Sequence, residues 1–297
     1  MMNNPDWSLG GLQISKLMKT VLLALLALLA SVDATSAILF EEPPELAKVF
    51  NDRGKAGTFV MLDASANTMF VWNPKRAQQQ FPPAETFRIA NAILALDAGV
   101  VRSIDEIVPF NAKQYRPFET SESVRPLYGT FGGGKRQTEE PQMEIRKAMR
   151  TPYVRTFRML AREIGIERMR DGVAKLAYGN MQIGNAVDRC WRNGSLQISA
   201  IEQVEFLASV ARGKIPVSRE ILTDVRQLTL LEKTARYELH SKTGWLITPK
   251  PELGWWVGWV ERGNEVFPFA LNMDIDRYHA EDRVTIGREC LKALGKL

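Results

Sequence analysis

Two charged residues stand at the head of an apolar helical segment: Glu85 and Arg88 precede Ile89-Ala90-Asn91-Ala92-Ile93-Leu94-Ala95-Leu96. Their i, i+3 spacing puts both on one helical face, within reach of an internal ion pair. A carboxylate in the first turn also meets the helix dipole favourably. Neither group suits covalent acyl transfer. A carboxylate nucleophile would have to make a mixed anhydride from an amide, which is strongly uphill. A guanidinium stays protonated at any accessible pH and cannot serve as a base. Further along, Lys242-Thr243-Gly244-Trp245 and Arg283 add two cations and a hydroxyl. Taken singly, Lys242 reads as an exposed strand lysine and Arg283 as a helix-start cation.

A mixed framework must position these groups. Gly57–Asp63 and Thr68–Trp72 are β-rich runs about a four-residue break, which predicts an antiparallel hairpin. Helical periods follow at Thr86–Leu96, Glu144–Met149, Val154–Ile164, Glu167–Leu176 and Ser199–Ala211. The last opens on a Ser199-x-x-Glu202 capping box. The period then changes. Tyr237–Thr243, Leu253–Glu261 and Glu265–Asp274 read as strands, and a closing helix runs from about Arg283 to Leu294. The order predicts an α+β fold, an antiparallel sheet flanked by terminal helices with a helical subdomain. Trp255, Trp256 and Trp259 have the spacing of a buried sheet, and Tyr178-Gly179-Asn180 that of a structural turn. Gly129–Lys135 and the polar residues through Gln142 lack the Lys-Ser/Thr of a phosphate loop and predict a flexible surface loop.

The N-terminus reads as something other than fold. Lys16 and Lys19 precede the apolar run Val21–Ala30, and Thr35-Ser36-Ala37 offers small residues for cleavage. That order predicts a secretory signal peptide over residues 1–37, ahead of one domain at 38–297, and export to the periplasm. A retained anchor is the alternative, but the run is shorter than the roughly 20 residues a spanning helix needs. Met18 is a second possible start. Removing residues 1–37 takes away Lys16, Lys19, Asp6 and Asp33, so the formal charge of +5 is unchanged. The basic residues of Arg146–Arg170 alternate with Glu144, Glu163 and Glu167, a solvated helical face and not a nucleic-acid track. With His240 and His279 the only histidines, no cluster has zinc-type spacing, and neither metal nor cofactor is expected. Cys190 and Cys290 lie in apolar surroundings and are expected as buried free thiols.

The ordered set of Tyr178-Gly179-Asn180, Asp188-Arg-Cys-Trp191, Lys242-Thr243-Gly244-Trp245 and Arg283 resembles the class D (oxacillinase-type) β-lactamases, within the penicillin-binding transpeptidase superfamily. The resemblance spans about Gly57 to Leu294. In that family the serine of Ser-Thr-Phe-Lys or Ser-Thr-Tyr-Lys attacks the lactam, and its carboxylated lysine is the base. Those two positions match Glu85 and Arg88. The second motif, Ser-x-Val, aligns with Pro152-Tyr153-Val154, so its serine is replaced as well. Trp191 matches the tryptophan that closes over the carboxylated lysine, and Arg283 the arginine that grips the substrate carboxylate. The backbone N–H groups of Glu85 and Trp245 match the oxyanion hole.

The resemblance makes the chain a β-lactamase homologue, and the three substitutions predict that serine acylation is lost. What would remain is a site on Val154, Trp191, Lys242, Thr243, Gly244, Trp245 and Arg283 for a β-lactam or a D-alanyl peptide carboxylate. A slow hydrolase with Glu85 as base toward water, and an envelope protein-interaction module, stay open as alternatives.

Overall fold

Three tryptophans on one strand, two facing one way and one the other, require a sheet covered on both sides. The computed structural model has that sheet at its centre. It describes residues 38–108, 142–152, 154–248, 250–276 and 278–297, all within one unit, Ile38–Leu297. The expected signal segment, the Gly129 loop and Tyr153 lie outside the described residues.

The strands are β1 (Leu39–Glu41), β2 (Gly57–Asp63), β3 (Thr68–Trp72), β4 (Leu230–Lys233), β5 (Glu238–Leu246), β6 (Glu252–Arg262) and β7 (Glu265–Ile275). They form a single sheet in the order β1-β3-β2-β7-β6-β5-β4, antiparallel except for the β1–β3 pair. The helices are α1 (Pro44–Asp52), α2 (Pro74–Gln78), α3 (Arg88–Asp97), α4 (Ile145–Arg150), α5 (Arg155–Ile164), α6 (Ile166–Lys175), α7 (Cys190–Asn193), α8 (Ala200–Ala211), α9 (Arg219–Thr229) and α10 (Asp282–Ala293). A 3₁₀ turn, Ala84–Phe87, leads into α3.

The α+β expectation therefore stands, and β2 and β3 begin and end where the sequence placed them. Trp255 and Trp259 enter a large core built with α3 and α8, while Trp256 enters a second core with α1 and α10. Gly287 of α10 lets that helix lie against Trp256: a Cβ there would fall 2.2 Å from the indole. The Ser199 capping box forms as expected, with Ser199 N–H donating to Glu202 and Glu202 N–H donating back to the Ser199 hydroxyl.

Sequence reading passed over α1 and α9, although Pro44 at the first helical position and Ser218 as an N-cap are both helix-start signals. It also placed the start of α3 inside what is a 3₁₀ turn. Both cysteines are free and buried, one in each core.

Candidate functional site

The 3₁₀ turn is held in place by residues far away in sequence. Trp255 donates its indole N–H to the Pro82 carbonyl at 3.0 Å. The Thr86 hydroxyl donates to Pro83 O at 2.7 Å and accepts from Gln203 at 2.9 Å. Ala84 has φ +51°, a left-handed conformation that costs an L-residue about 1–2 kcal/mol. β5 passes close by because Gly244 has no side chain: a Cβ there would lie 3.1–3.2 Å from Pro83 O, Ala84 Cβ and Thr86 Cγ2. This close approach decides the chemistry. It brings the Glu85 side chain to the backbone of Trp245, whose N–H donates to Glu85 Oε2 at 2.9 Å. The other carboxylate oxygen, Oε1, accepts from Arg192 of α7 in an ion pair.

The expected Glu85–Arg88 ion pair is corrected by this arrangement. Arg88 is turned toward the end of α4, where its guanidinium donates to Ala148 O at 2.7 Å and Thr151 O at 2.8 Å and lies 5.0 Å over the Phe157 ring. A helix C-terminus presents carbonyls with no intrahelical donor, and the nearest guanidinium is drawn to them. Glu85 still feels the Arg88 charge. Burial pushes the Glu85 carboxyl up, but Arg192, Arg88, the Trp245 N–H and Lys242 outweigh that and hold it below the ordinary range. It is an anion at neutral pH.

The remaining candidates surround this turn. Pro152 is exposed and follows Thr151, the residue Arg88 holds, while Val154 caps α5. Trp191 is buried and stacks on Phe87 with ring centroids 5.4 Å apart. Tyr178 is fully buried against Phe87 and Phe206. Asn180 ties its turn to Ser195 O and to the N–H groups of Gln182 and Gln197, a structural role. On β5, Lys242 and Gly244 share one face by strand alternation, and Thr243 and Trp245 the other. The Lys242 ammonium donates to Thr243 O at 2.8 Å. Burial and the neighbouring Arg88 and Arg283 push it down to about 7, against the opposing pull of Glu85. Arg283, 7% exposed, reaches in from the start of α10, and burial lowers its pKa as well.

Two features escaped the sequence. Arg192 sits 107 positions from Glu85 in a four-residue helix, and no local spacing announces the pair. Glu238, His240 and Glu261 converge on the far part of β5 and β6, with ligand-type atoms within 4.8 Å of one another. Cross-strand register, not sequence spacing, assembles them, since Glu238 faces Glu261. Glu261 already pairs with Arg226 and Glu238 with Lys233. No helix among the described residues is long and apolar enough to cross a membrane.

The same stretch of chain that builds this site matches a known family. Residues 57–292 match the penicillin binding protein transpeptidase domain. The chain is 34% identical over 232 residues to β-lactamase OXA-19 of Pseudomonas aeruginosa, covering 77% of this chain and 80% of that one. It is 32% identical over 260 residues to β-lactamase OXA-48 of Klebsiella pneumoniae, covering 87% and 91%. Among solved structures, the class D β-lactamase FUS-1 (OXA-85) of Fusobacterium nucleatum superposes with a TM-score of 0.75 at 32% identity, covering 86% of this chain and all of that one. The class D enzyme YbXI of Nostoc gives 0.73 at 35% identity, covering 85% and 99%. Sequence identity and overall fold agree, and the chain belongs to the class D β-lactamase family.

Proposed function

We propose that this family member has lost serine acylation and acts as an exported binding protein for carboxylate ligands of the β-lactam or D-alanyl peptide class. The position of the Glu85 carboxylate carries this reading. It occupies the Trp245 N–H, the donor that in the family would hold the acyl oxygen, and it is tied there by Arg192. An anion on that amide excludes a second developing anion from it. Arg88, permanently protonated and bound to two carbonyls, supplies no base. Pro152 offers no hydroxyl for proton relay. Lys242 and Arg283 keep the positive field that a carboxylate would seek.

Intact-protein mass spectrometry after incubation with benzylpenicillin tests the loss of chemistry. The expected spectrum shows the unmodified mass, while the same antibiotic raises the melting temperature and Arg283→Ala abolishes that rise. One added antibiotic mass mapped to Glu85, or turnover of a chromogenic cephalosporin abolished by Glu85→Gln, would overturn the reading.

A further inference from the structure

Of the two cations at this site, Lys242 has no carboxylate of its own and Arg283 has only a long contact to an exposed one. Among the described residues no carboxylate oxygen lies within 4 Å of the Lys242 ammonium, and the acceptor it does have is the neighbouring Thr243 carbonyl at 2.8 Å. Arg283 is 7% exposed; one of its nitrogens donates to Ala280 O, another lies 3.9 Å from Glu281, whose side chain is 85% exposed. Its Nε is buried with no acceptor at all. A buried donor without an acceptor costs about 1–3 kcal/mol, which an anion reaching Arg283 would recover. Glu85 does not fill that need: its oxygens accept from Arg192 and Trp245, and neither is bonded to Arg283.

Resting on the reading of this pocket as a carboxylate site, we propose that it binds its ligand together with one proton, which ends on Lys242 Nζ. The groups facing that ammonium are Glu85 from the 3₁₀ turn, Arg88 from α3 and Arg283 from α10, two cations against one anion. In the unliganded site burial first, and then the Arg88 and Arg283 charges, bring the amine down to about 7. A ligand carboxylate placed among the three cations cancels the field that expels the proton, and the amine takes it up. The balance is plain: ligand anion, neutral amine and one solvent proton become an ammonium–carboxylate pair, with no bond made or broken in the ligand.

The sign follows. Below about pH 7 the lysine is already charged, and affinity is flat. Above it, each bound ligand must draw a proton from solvent, so affinity falls as pH rises toward the higher pKa of the liganded state. Between pH 7.5 and 8.5 the loss is about eightfold for a free pKa of about 7. His240, two residues earlier on β5, has its pKa lowered by burial and stays neutral throughout this window.

Isothermal titration calorimetry of benzylpenicillin into the mature domain, at pH 6.0 and 8.5 in two buffers of different ionisation enthalpy, tests this. The expected result is uptake of close to one proton at pH 8.5, almost none at pH 6.0, and the eightfold decline between pH 7.5 and 8.5. Lys242→Arg, a permanent cation, should bind with no proton uptake and a flat profile. Binding by the wild type with no uptake at pH 8.5 overturns the proposal and leaves the carboxylate reading intact. Uptake that persists in Lys242→Arg overturns it too, since the proton then lands elsewhere. No binding at any pH from 6.0 to 8.5 overturns the carboxylate reading and this proposal with it.

Discussion

A carboxylate that receives one backbone amide and one guanidinium has a donor on each oxygen, and Glu85 is such a group. Its folded pKa lies below the unfolded value of 4.5. Ionisation therefore contributes stability that is present above pH 4.5 and lost as pH falls through the lower folded value. Glu85→Gln should lower stability at pH 7 by about 2 kcal/mol, because it removes the negative charge from the bonds to Arg192 and the Trp245 N–H. Its melting temperature should then fall less steeply than the wild type's below pH 4.5, as thermal denaturation across pH 2.5–7 would record. At this scale the sequence was half legible. The type and charge of Glu85 and Arg88 could be read directly, and with them the mismatch to acyl transfer. Their partners could not, because the donors to Glu85 are 107 and 160 positions away. Local spacing favoured Arg88, and the carbonyls of Ala148 and Thr151 at the end of α4 took it instead.

At the scale of elements, the site depends on how closely β5 and the 3₁₀ turn approach. Gly244 sets that distance. Gly244→Ala would put a methyl group 3.1–3.2 Å from three atoms of the turn, two of them backbone or Cβ. The strand must shift by a few tenths of an ångström, and the Trp245–Glu85 hydrogen bond lengthens. We expect a loss of about 1–2 kcal/mol, measured by urea denaturation. Glu85 should then titrate at a higher pH, read from its carboxyl carbon resonance. Strands were the most legible elements, since alternating apolar residues between turn formers leave little choice of face. The short pieces were not. A four-residue 3₁₀ turn that opens on a left-handed alanine has no period to detect, and the indole and glutamine that brace it belong to β6 and α8.

For the whole molecule, the two-sided sheet means that the candidate site draws residues from both layers. Glu85, Arg88 and Arg192 stand on elements packed against one face, whereas Arg283 opens α10, which packs with Trp256 on the other. Damage to the second layer should therefore reach the ligand. Gly287→Val would drive a side chain into the Trp256 indole, from which even a Cβ is only 2.2 Å away. Lifting α10 should cost about 3 kcal/mol or more, seen in the melting temperature. It should also weaken antibiotic-induced stabilisation beyond what the lost stability explains, since Arg283 moves with the helix. Two layers with separate cores were implied by Trp255, Trp256 and Trp259 alone, because consecutive strand residues cannot share a face. Which helices cover each face was not implied, as α1 went unread.

The helix that carries Arg283 at its first turn ends at Ala293, four residues short of the chain's last residue. Twelve residues of helix make a rod about 18 Å long with Arg283 near one tip and the segment leading to Leu297 at the other. Whatever is fastened to Leu297, whether an affinity tag, a dye or a surface linker, hangs from a lever whose far end reaches the pocket. A fluorophore placed there is a reporter of occupancy, and a bulky fusion is a perturbation of it.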